Sequence, residues 1–397
     1  MKQNLIETLL DISEQEKERL LAAIKIDAIT ESPYLEKEST ESQEYRQFLQ
    51  SLFQEILHFE DNEQQLLFEI ARYVRHKYLA NKGNLRGVIE ITNACERSCN
   101  YCPMRIENEE LGDRYNFSSE KILETAIEIK EAKIPIVFIQ AGEIKATTKT
   151  VSRAIPKIRQ LFENNVIILL NLGDKPKEDY TILKEAGANQ YIIKFETSNW
   201  NLHKQARGYL LSDRLDRIDD LLSLGYEVGS GTIVGLKAVN ANGKIEIEQT
   251  PKMLANDLLL AMKKKIHMCS ASPFVPGKGT PLAQMSPGNA SMTLNWIALA
   301  RIMMPKVMIP SVSALNVLLG QDGQLKGLQA GANTITVNFT PPNYQDQYAI
   351  YSKQKRYKVK YEYALDIMEK AGIEPTLLPN VPSQSFLLSQ KLELPTA

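Results

Sequence analysis

The stretch GVIEITNACERSCNYC (residues 87–102) joins an apolar, β-rich run directly to three closely spaced cysteines. Its first six residues have the composition of a buried strand. In parallel α/β folds the functional groups collect where the strands end, because the carboxyl ends of all the strands lie on one side. The stretch therefore predicts a strand followed by a functional loop.

Seven further runs of the same kind follow along the chain, and stretches with helical periodicity separate them. The runs are PIVFIQ (135–140), VIILLNL (166–172), QYIIKF (190–195), VGSGTIVGL (228–236), KIHMCSA (265–271), KVMIPS (306–311) and TITVNF (334–339). Eight apolar strands that alternate with helices predict an α/β fold with a parallel sheet covered on both faces, and eight strands close a (βα)₈ barrel of the TIM type. An open, doubly wound sheet is the alternative, since periodicity alone does not prove closure.

Local signals support the helices of this pattern. Residues 64–79, QQLLFEIARYVRHKYL, predict a helix just before the first strand. Ser118 is placed to cap the N-terminus of the helix that follows it. Gly187 is placed to end the helix PKEDYTILKEAG. We expect the barrel to occupy residues 63–376.

An acidic segment precedes the predicted barrel. Residues 1–60 contain 13 Asp or Glu and 6 Lys or Arg, and we interpret residues 1–62 as a helical extension with a solvated acidic face. Apolar spacing predicts one amphipathic helix over residues 5–24 and another over residues 48–56. The polar residues 29–45 between them, which include a proline, read as a linker. At the other end, residues 377–397 read as a tail.

The overall charge limits the kind of partner. The chain has 397 residues, with 47 Lys or Arg against 48 Asp or Glu, for a formal charge of −1. Such a balance supplies no global field for nucleic acid or an anionic membrane, so a small molecule is the better default partner. The N-terminus lacks the pattern of a signal peptide, and no stretch reaches the roughly 20 apolar residues of a membrane span. We expect a cytoplasmic protein.

The cysteines indicate a metal site in a reducing compartment. Cys95, Cys99 and Cys102 lie within eight residues, whereas Cys269 is far away, so they do not form a regular disulfide framework. Three thiolates can hold three corners of a [4Fe–4S] cube and leave one iron open. A structural zinc would need a fourth ligand, and the four histidines have no ligand spacing. Unliganded structural thiols are the remaining alternative.

The motif Cys-x₃-Cys-x₂-Cys, with Tyr101 before its last cysteine, resembles the signature of the radical S-adenosylmethionine (SAM) enzymes. The resemblance implies two cofactors, a [4Fe–4S] cluster bound by the three cysteines and a SAM molecule that chelates its open iron. It also implies that one electron cleaves SAM to a 5′-deoxyadenosyl radical, which abstracts hydrogen from a substrate. Tyr101 is accordingly expected at the cofactor.

Other elements similar to the family's follow in the same order. Gly142 and Glu143 end the second run and look like the GE motif that receives the SAM amino group. Glu196 ends the fourth run and resembles an acidic position used for SAM recognition. Arg214 matches the arginine that pairs with the SAM carboxylate, where a guanidinium offers bidentate geometry. Each has an ordinary alternative, such as a turn, a solvated helix residue or a local ion pair.

Within the superfamily, the chain is most similar to the group of biotin synthase, methylornithine synthase (PylB) and the [FeFe]-hydrogenase maturase HydE, with HydE-like stretches the most specific. Residues 293–340 resemble the region shared by biotin and thiamin synthesis enzymes. Biotin synthase has a cysteine where this chain has Gly229, and one further thiol, Cys269, is too few for an all-cysteine second cluster. The resemblance therefore does not extend to sulfur insertion. Cys269 itself reads as a buried packing thiol.

Three residues are expected on the substrate side of the site. Lys194 stands where HydE has an arginine, so an anionic substrate group is one interpretation and an ion pair with Glu196 is the other. Val312 and Ser313 stand where HydE has two threonines, which puts the hydrogenase-maturation substrate in doubt. Tyr344 and Tyr348 are placed to close the barrel mouth, either over a substrate or as ordinary capping of the barrel. We take Lys194, Ser313 and Tyr344 as the catalytic candidates.

These resemblances predict a radical SAM enzyme that acts on a small, amino-acid-derived or metal-bound substrate. A PylB-type amino-acid mutase is one alternative. A non-catalytic accessory protein in metallocofactor assembly, docked through the N-terminal helices, is another. The enzyme would need an external one-electron donor, a flavodoxin or ferredoxin, for which residues 353–356 (KQKR) offer a docking loop or simply a solvated one.

Overall fold

The computed structural model describes residues 14–34, 38–351 and 357–378. Its centre is a parallel sheet that curls into a ring, with helices outside. The strands, with a short hairpin of β6 and β7 among them, are β1 (Lys82–Thr92), β2 (Ile136–Ala141), β3 (Ile167–Asn171), β4 (Gln190–Ile192), β5 (Glu227–Val234), β6 (Lys237–Val239), β7 (Ile245–Glu248), β8 (Met268–Pro273), β9 (Thr334–Asn338) and β10 (Glu374–Thr376).

The strand order is β9-β1-β2-β3-β4-β5-β8, all in parallel, and β10 pairs with the first residues of β1. The ring closes between β8 and β9 through the segment around Met308 and Pro310, which bridges Met268 on one side and Thr334 on the other. The predicted TIM-type barrel is therefore confirmed, and the open-sheet alternative is wrong.

The seventh predicted strand, 306–311, is wrong as a regular strand. Two single bridges hold this segment in the ring instead. Pro310 has no N–H to donate, which interrupts a continuous ladder at this point. The antiparallel hairpin of β6 and β7 was not predicted either; it follows β5 and pairs Lys237 with Glu248.

Helices cover the outside of the ring. In chain order they are α1 (Glu14–Ala23), α2 (Ile26–Thr30), α3 (Thr40–Leu57), α4 (Asp61–Leu79), α5 (Ser119–Glu131), α6 (Thr147–Leu161), α7 (Lys177–Glu185), α8 (Trp200–Arg207), α9 (Leu211–Ser223), α10 (Pro251–Lys263), α11 (Ala290–Met303), α12 (Ala314–Leu319), α13 (Gly323–Gln329), α14 (Pro342–Gln345) and α15 (Tyr361–Lys370). Within the described residues, none of these helices is both long and apolar enough to cross a bilayer.

Two of the predicted helix signals are confirmed. The Ser118 hydroxyl accepts a hydrogen bond of 3.2 Å from the backbone N–H of Lys121, which caps α5. After α7 ends, Gly187 has a φ of +113°, a conformation that residues with a Cβ rarely adopt. The helix predicted over residues 64–79 is also present, as the larger part of α4.

The N-terminal helices pack against the barrel. Leu49, Phe53 and Ile56 of α3 are buried in the same core as the barrel helices. The Gln50 side chain donates a 2.5 Å hydrogen bond to Asn256 of α10. The predicted linker is wrong in its second half, because Ser39 caps α3 and the helix begins at once. Part of the helix predicted over residues 5–24 lies outside the described residues.

The inside of the ring has an apolar belt. Val88, Phe138, Leu169 and Met268 come from four different strands and form a buried cluster apart from the main core. Only the interior of the ring lets these strands meet. The belt separates the two ends of the barrel, and the cysteine loop lies at the end where β1 terminates.

Candidate functional site

The cysteine loop follows β1 directly. Cys99 is buried, Cys95 and Cys102 are half-buried, and all three are free thiols. Burial raises the pKa of the Cys102 thiol, and the neighbouring Cys99 and Cys95 raise it further, which places the three sulfurs within electrostatic range of one another. Within residues 14–34, 38–351 and 357–378, no three His, Cys, Asp or Glu side chains converge on one ion. A cluster does not require that, because each of its cysteines binds a different iron.

Gly142 closes the gap between this loop and the end of β2. Its N–H donates to the carbonyl oxygen of Thr92 at 2.9 Å, and the next residue accepts a 2.9 Å hydrogen bond from the backbone N–H of Glu96. A Cβ on Gly142 would collide with the carbonyl oxygen of Ala94 and approach the Cβ of Cys95. Only glycine allows this contact, so the second strand end and the cysteine loop form one unit.

Glu143 points into a group of arginines. Arg97, which follows the first cysteine, donates to one carboxylate oxygen of Glu143. Arg207, the last residue of α8, lies 3.9 Å from the other oxygen. The Glu143 carboxylate is 10% exposed and the Arg97 side chain 40%, so Arg97 is the partner that can move into solvent.

Glu196 provides a second carboxylate at the end of the fourth strand region. One of its oxygens lies 3.0 Å from the Lys194 ammonium, and the other lies 3.7 Å from Arg207. Glu196 has a φ of +64°, which is uncommon for a residue with a Cβ. Backbone hydrogen bonds to Gly231 and from Ile233 hold it there. Arg207 thus bridges the Glu143 and Glu196 carboxylates.

Arg214 lies on α9, behind this bridge. It forms an ion pair of 3.0 Å with Asp174, which follows β3, and it donates to the hydroxyl of Tyr209. Arg207 donates to the same hydroxyl, and the guanidiniums of both arginines lie within 5.4 Å of the Tyr209 ring centre. Burial would raise the pKa of Asp174, but Arg214 and Arg207 outweigh burial and keep it below its usual value.

A cavity of 180 Å³ opens beside these groups. Four of the sequence-predicted residues line it: Tyr101, Cys102, Lys194 and Glu196. The Tyr101 hydroxyl accepts a 2.9 Å hydrogen bond from Arg207, so the last cysteine, the fourth strand end and α8 meet at one point. The structure therefore brings together the cysteines, both carboxylates, Lys194 and Tyr101.

Ser313 and Tyr344 are not among the residues that line this cavity. Ser313 precedes α12, and its carbonyl oxygen accepts hydrogen bonds from the backbone of that helix. The Tyr344 ring packs at 4.8 Å from both Tyr115 and Phe117. Tyr348 is buried. The aromatic packing of Tyr344 matches the ordinary capping alternative.

The other features singled out in the sequence lie outside the cavity lining or outside the described residues. Cys269 is fully buried on β8, and burial raises the pKa of its thiol, as expected of a packing residue. Gly229 lies on β5 opposite Met268. The basic residues 353–356 lie outside the described residues.

Three charged or polar residues of this region were missed from the sequence. Asp174 follows β3 in the same way that Glu143 follows β2, so the strand-end rule could have found it. Arg207 is the last residue of α8 and Tyr209 lies in the connection to α9, and no local pattern marks either residue. Their roles depend on carboxylates from other strand ends.

The residues present suit the two implied cofactors. Three thiols on one loop match the donor set of an iron–sulfur cluster, and the paired carboxylates and arginines nearby match a zwitterionic amino-acid group. Arg207 Nε and Arg214 Nε are buried and have no hydrogen-bond partner, although each guanidinium is paired elsewhere. Of these charged groups, Lys194 and Glu196 also line the 180 Å³ cavity.

Comparison with known proteins gives a consistent result. Residues 89–247 match the model of the radical SAM superfamily. The [FeFe] hydrogenase maturase subunit HydE of Thermotoga maritima is 33% identical over 317 residues, which cover 79% of this chain and 87% of that protein. The 3-methylornithine synthase of Methanosarcina acetivorans is 28% identical and covers 70% and 75% of the two chains.

The fold also matches a solved structure. The crystal structure of methylornithine synthase (PylB) superposes with a TM-score of 0.70 and 22% sequence identity. The match covers 92% of this chain and 99% of that one. At this identity the likeness concerns the fold.

Proposed function

The chain belongs to the radical SAM superfamily, whose members are enzymes that use an iron–sulfur cluster and SAM, and we propose that it cleaves SAM reductively at a [4Fe–4S] cluster held by Cys95, Cys99 and Cys102. When bound, the cluster and SAM supply a 5′-deoxyadenosyl radical that abstracts hydrogen from a substrate. The observation that carries the proposal is the joining of the cysteine loop to Glu143 and Glu196 through Gly142 and Arg207.

We assign the amino-acid part of SAM to the charged groups around Arg207. The Glu143 carboxylate takes the ammonium group and releases Arg97, its more exposed partner, toward solvent. Arg207 has only long contacts to the two carboxylates and its Nε has no hydrogen-bond partner, so the guanidinium can contact the SAM carboxylate while it donates to Tyr101 and Tyr209. Arg214, which the family resemblance implies for that role, pairs with Asp174 and acts with Arg207 through Tyr209.

The substrate group that we propose is small and anionic. Lys194 lines the 180 Å³ cavity next to Cys102 and has an exposed fraction of 20%. An amino-acid-derived substrate fits that size and charge. The apolar belt below the cavity excludes water from the radical, which is the protein's task in this chemistry.

A HydE-like reaction is the first candidate because of the sequence identity to that protein. The amino-acid mutase reaction of a methylornithine synthase is the second, and Lys194 favours it because an ammonium group suits an amino-acid carboxylate. A cluster carrier without catalysis has no use for carboxylates and arginines next to its thiols. We propose a flavodoxin or ferredoxin as the electron donor, since the described cysteines provide for one cluster.

The test is anaerobic reconstitution with iron and sulfide, followed by dithionite and SAM. We expect about four irons per chain and formation of 5′-deoxyadenosine in the wild type. Cys99→Ala should lose both the bound iron and the formation of 5′-deoxyadenosine. Cys269→Ala removes a buried thiol of β8, outside the cysteine loop, and should retain both the iron and the product. A wild-type protein that binds no iron and forms no 5′-deoxyadenosine would refute the proposal.

A further inference from the structure

A buried arginine lies inside the barrel at the end opposite the cysteine loop. Arg86 belongs to the first half of β1, and its residue exposure is 2%. Because side chains alternate along a strand, it faces the same way as Val88 of the apolar belt. Its Nη2 contacts the sulfur of Met308 at 2.7 Å, and its Nε is buried without a hydrogen-bond partner.

The positive charge of Arg86 is not balanced nearby. Within the part of the chain that the structure describes, no carboxylate forms an ion pair with its guanidinium. Burial lowers the pKa of Arg86 to about 10, which still leaves it charged at neutral pH. An unpaired charge in a dry interior is costly, and proteins normally supply a counter-ion.

A large cavity opens at this end of the barrel. It has a volume of 890 Å³, and its lining includes Asn84 and Met308. Asn84 lies two residues before Arg86 on the same face of β1, and Met308 is the residue that the guanidinium contacts. Arg86 therefore lies directly behind the cavity wall. We call this space the barrel-floor cavity.

The rim of the barrel-floor cavity is rich in cations. Lys263, Lys265 and Lys306 line it, against the acidic Glu18 and Glu227. Burial lowers the pKa of Lys263, and the neighbouring Lys25, Lys264 and Lys265 lower it further. Mutual repulsion of this kind favours an anion in the space between the lysines.

The N-terminal helix α1 forms part of the wall. Leu21 and Ala22 line the cavity, and their carbonyl oxygens accept hydrogen bonds of 2.9 and 2.6 Å from the Lys263 ammonium. The C-terminal end of α1 thus holds the lysine that borders the opening. This contact gives the N-terminal extension a role in the architecture of the cavity.

The barrel-floor cavity is separate from the candidate active site. Val88 and the other belt residues lie between Arg86 and the end of the barrel that carries Lys194 and Glu196. Ile192, the last residue of β4, packs against the belt, whereas Lys194, two residues later, lines the active-site cavity. A ligand at the floor would not occupy the space of the SAM or substrate groups.

We propose that the barrel-floor cavity binds a small molecule bearing a carboxylate or phosphate group, with Arg86 as the buried counter-charge and Lys263 and Lys306 at the rim. The Arg86 guanidinium lies behind Met308, which lines the cavity, and its uncompensated charge suits an oxyanion of either kind. The proposal does not depend on the reaction at the other end of the barrel.

The experiment measures anion-dependent stabilisation of the full chain. Thermal unfolding is followed while inorganic phosphate or succinate is titrated against chloride at constant ionic strength. We expect a saturable rise in melting temperature with at least one of them, and the preferred anion tells phosphate from carboxylate chemistry. ³¹P line broadening of phosphate gives a second measure of binding.

Three variants decide the site. Arg86→Met should raise the anion concentration for half-saturation at least tenfold, and it should not lower stability without anion because it removes an uncompensated charge. Lys306→Gln should raise the anion concentration for half-saturation several-fold. Lys149→Gln removes an exposed charge on α6 and is the matched control, with no expected effect.

Two results would overturn the proposal. One is the lack of any saturable response, or a response that Arg86→Met leaves unchanged. The other is a response that Lys149→Gln weakens as much as Lys306→Gln does, because the anion would then act through general surface charge and not in the cavity.

Discussion

The backbone N–H of Gly142 donates a 2.9 Å hydrogen bond to the carbonyl oxygen of Thr92, and this contact joins two neighbouring strand ends beneath the cysteine loop. The closeness of these strand ends explains why a glycine follows β2. The glycine lets the chain approach Ala94 and Cys95, and the glutamate then enters the space beside them.

Gly142→Ala should therefore disrupt the cofactor site. A methyl group at this position would meet the Ala94 carbonyl oxygen, and the cysteine loop would have to shift. We expect iron content after anaerobic reconstitution to fall by half or more. Gly243→Ala adds the same methyl group where nothing lies within 4 Å, at a backbone cost of about 1–2 kcal/mol for its left-handed φ of +73°, and should leave iron content unchanged. Equal iron content in both variants would contradict this role.

Tyr209→Phe tests the coupling of the two arginines. The hydroxyl is the shared acceptor of Arg207 and Arg214, and a hydrogen bond to a charged group contributes about 1.5–3 kcal/mol. We expect SAM affinity to fall about tenfold, measured by equilibrium binding to the reconstituted protein. Tyr73→Phe, at an exposed tyrosine of α4, is the control. Unchanged SAM binding in Tyr209→Phe would remove Tyr209 from the site.

Much of the fold could be predicted because its signals are local. Apolar runs mark most strands, Ser118 marks a helix start, and Gly187 marks a helix end. The segment 306–311 has the composition of a strand, but Pro310 interrupts its hydrogen-bond ladder. The segment still closes the barrel, through single bridges to the strands on either side. Its role could not be read from composition.

The site was predictable to a smaller extent. The strand-end rule places Glu143, Glu196 and Lys194 at the same end of the barrel, next to the cysteines. It does not fix the direction of a side chain, so Ser313 and Tyr344 share that end without lining the cavity. The role of Arg207 depends on its contacts with two carboxylates that are distant from it in sequence. Only the folded ring brings these groups together.

Asp257 should make stability depend on pH. This fully buried carboxylate of α10 accepts hydrogen bonds of 2.5 Å from the Ser198 N–H and the Thr232 hydroxyl, but burial outweighs them and raises its pKa to about 6. Because its pKa is raised in the folded state, Asp257 contributes most to the free energy of unfolding below pH 3.8. This contribution is lost as pH rises through 6, a loss of about 3 kcal/mol.

Asp257→Asn should lack this loss. We expect the unfolding free energy of the variant, relative to wild type, to increase by about 2 kcal/mol between pH 4 and pH 7 in urea titrations. Asp219→Asn, at an exposed carboxylate paired with Lys264, should show no comparable trend. A constant difference between wild type and Asp257→Asn would refute the prediction.

Tyr344 can be tested as a catalytic or a packing residue. Its ring contacts Tyr115 and Phe117, so Tyr344→Phe should retain 5′-deoxyadenosine formation within twofold. Tyr344→Ala should lower the unfolding free energy by about 2 kcal/mol through lost aromatic packing. A hundredfold loss of product in Tyr344→Phe, with stability intact, would instead support the catalytic role.

Lys194 has two proposed roles, an ion pair with Glu196 or a contact to an anionic substrate group. The ammonium and carboxylate are 3.0 Å apart and mostly buried, so removal of one charge leaves the other poorly compensated. We expect Lys194→Met to lose about 2 kcal/mol of unfolding free energy, and the Lys194→Met/Glu196→Gln double variant to recover at least half of it. A double-mutant cycle in urea measures this coupling. If the two effects are additive, the ion pair contributes nothing to stability, and Lys194 is held there for its contact with substrate.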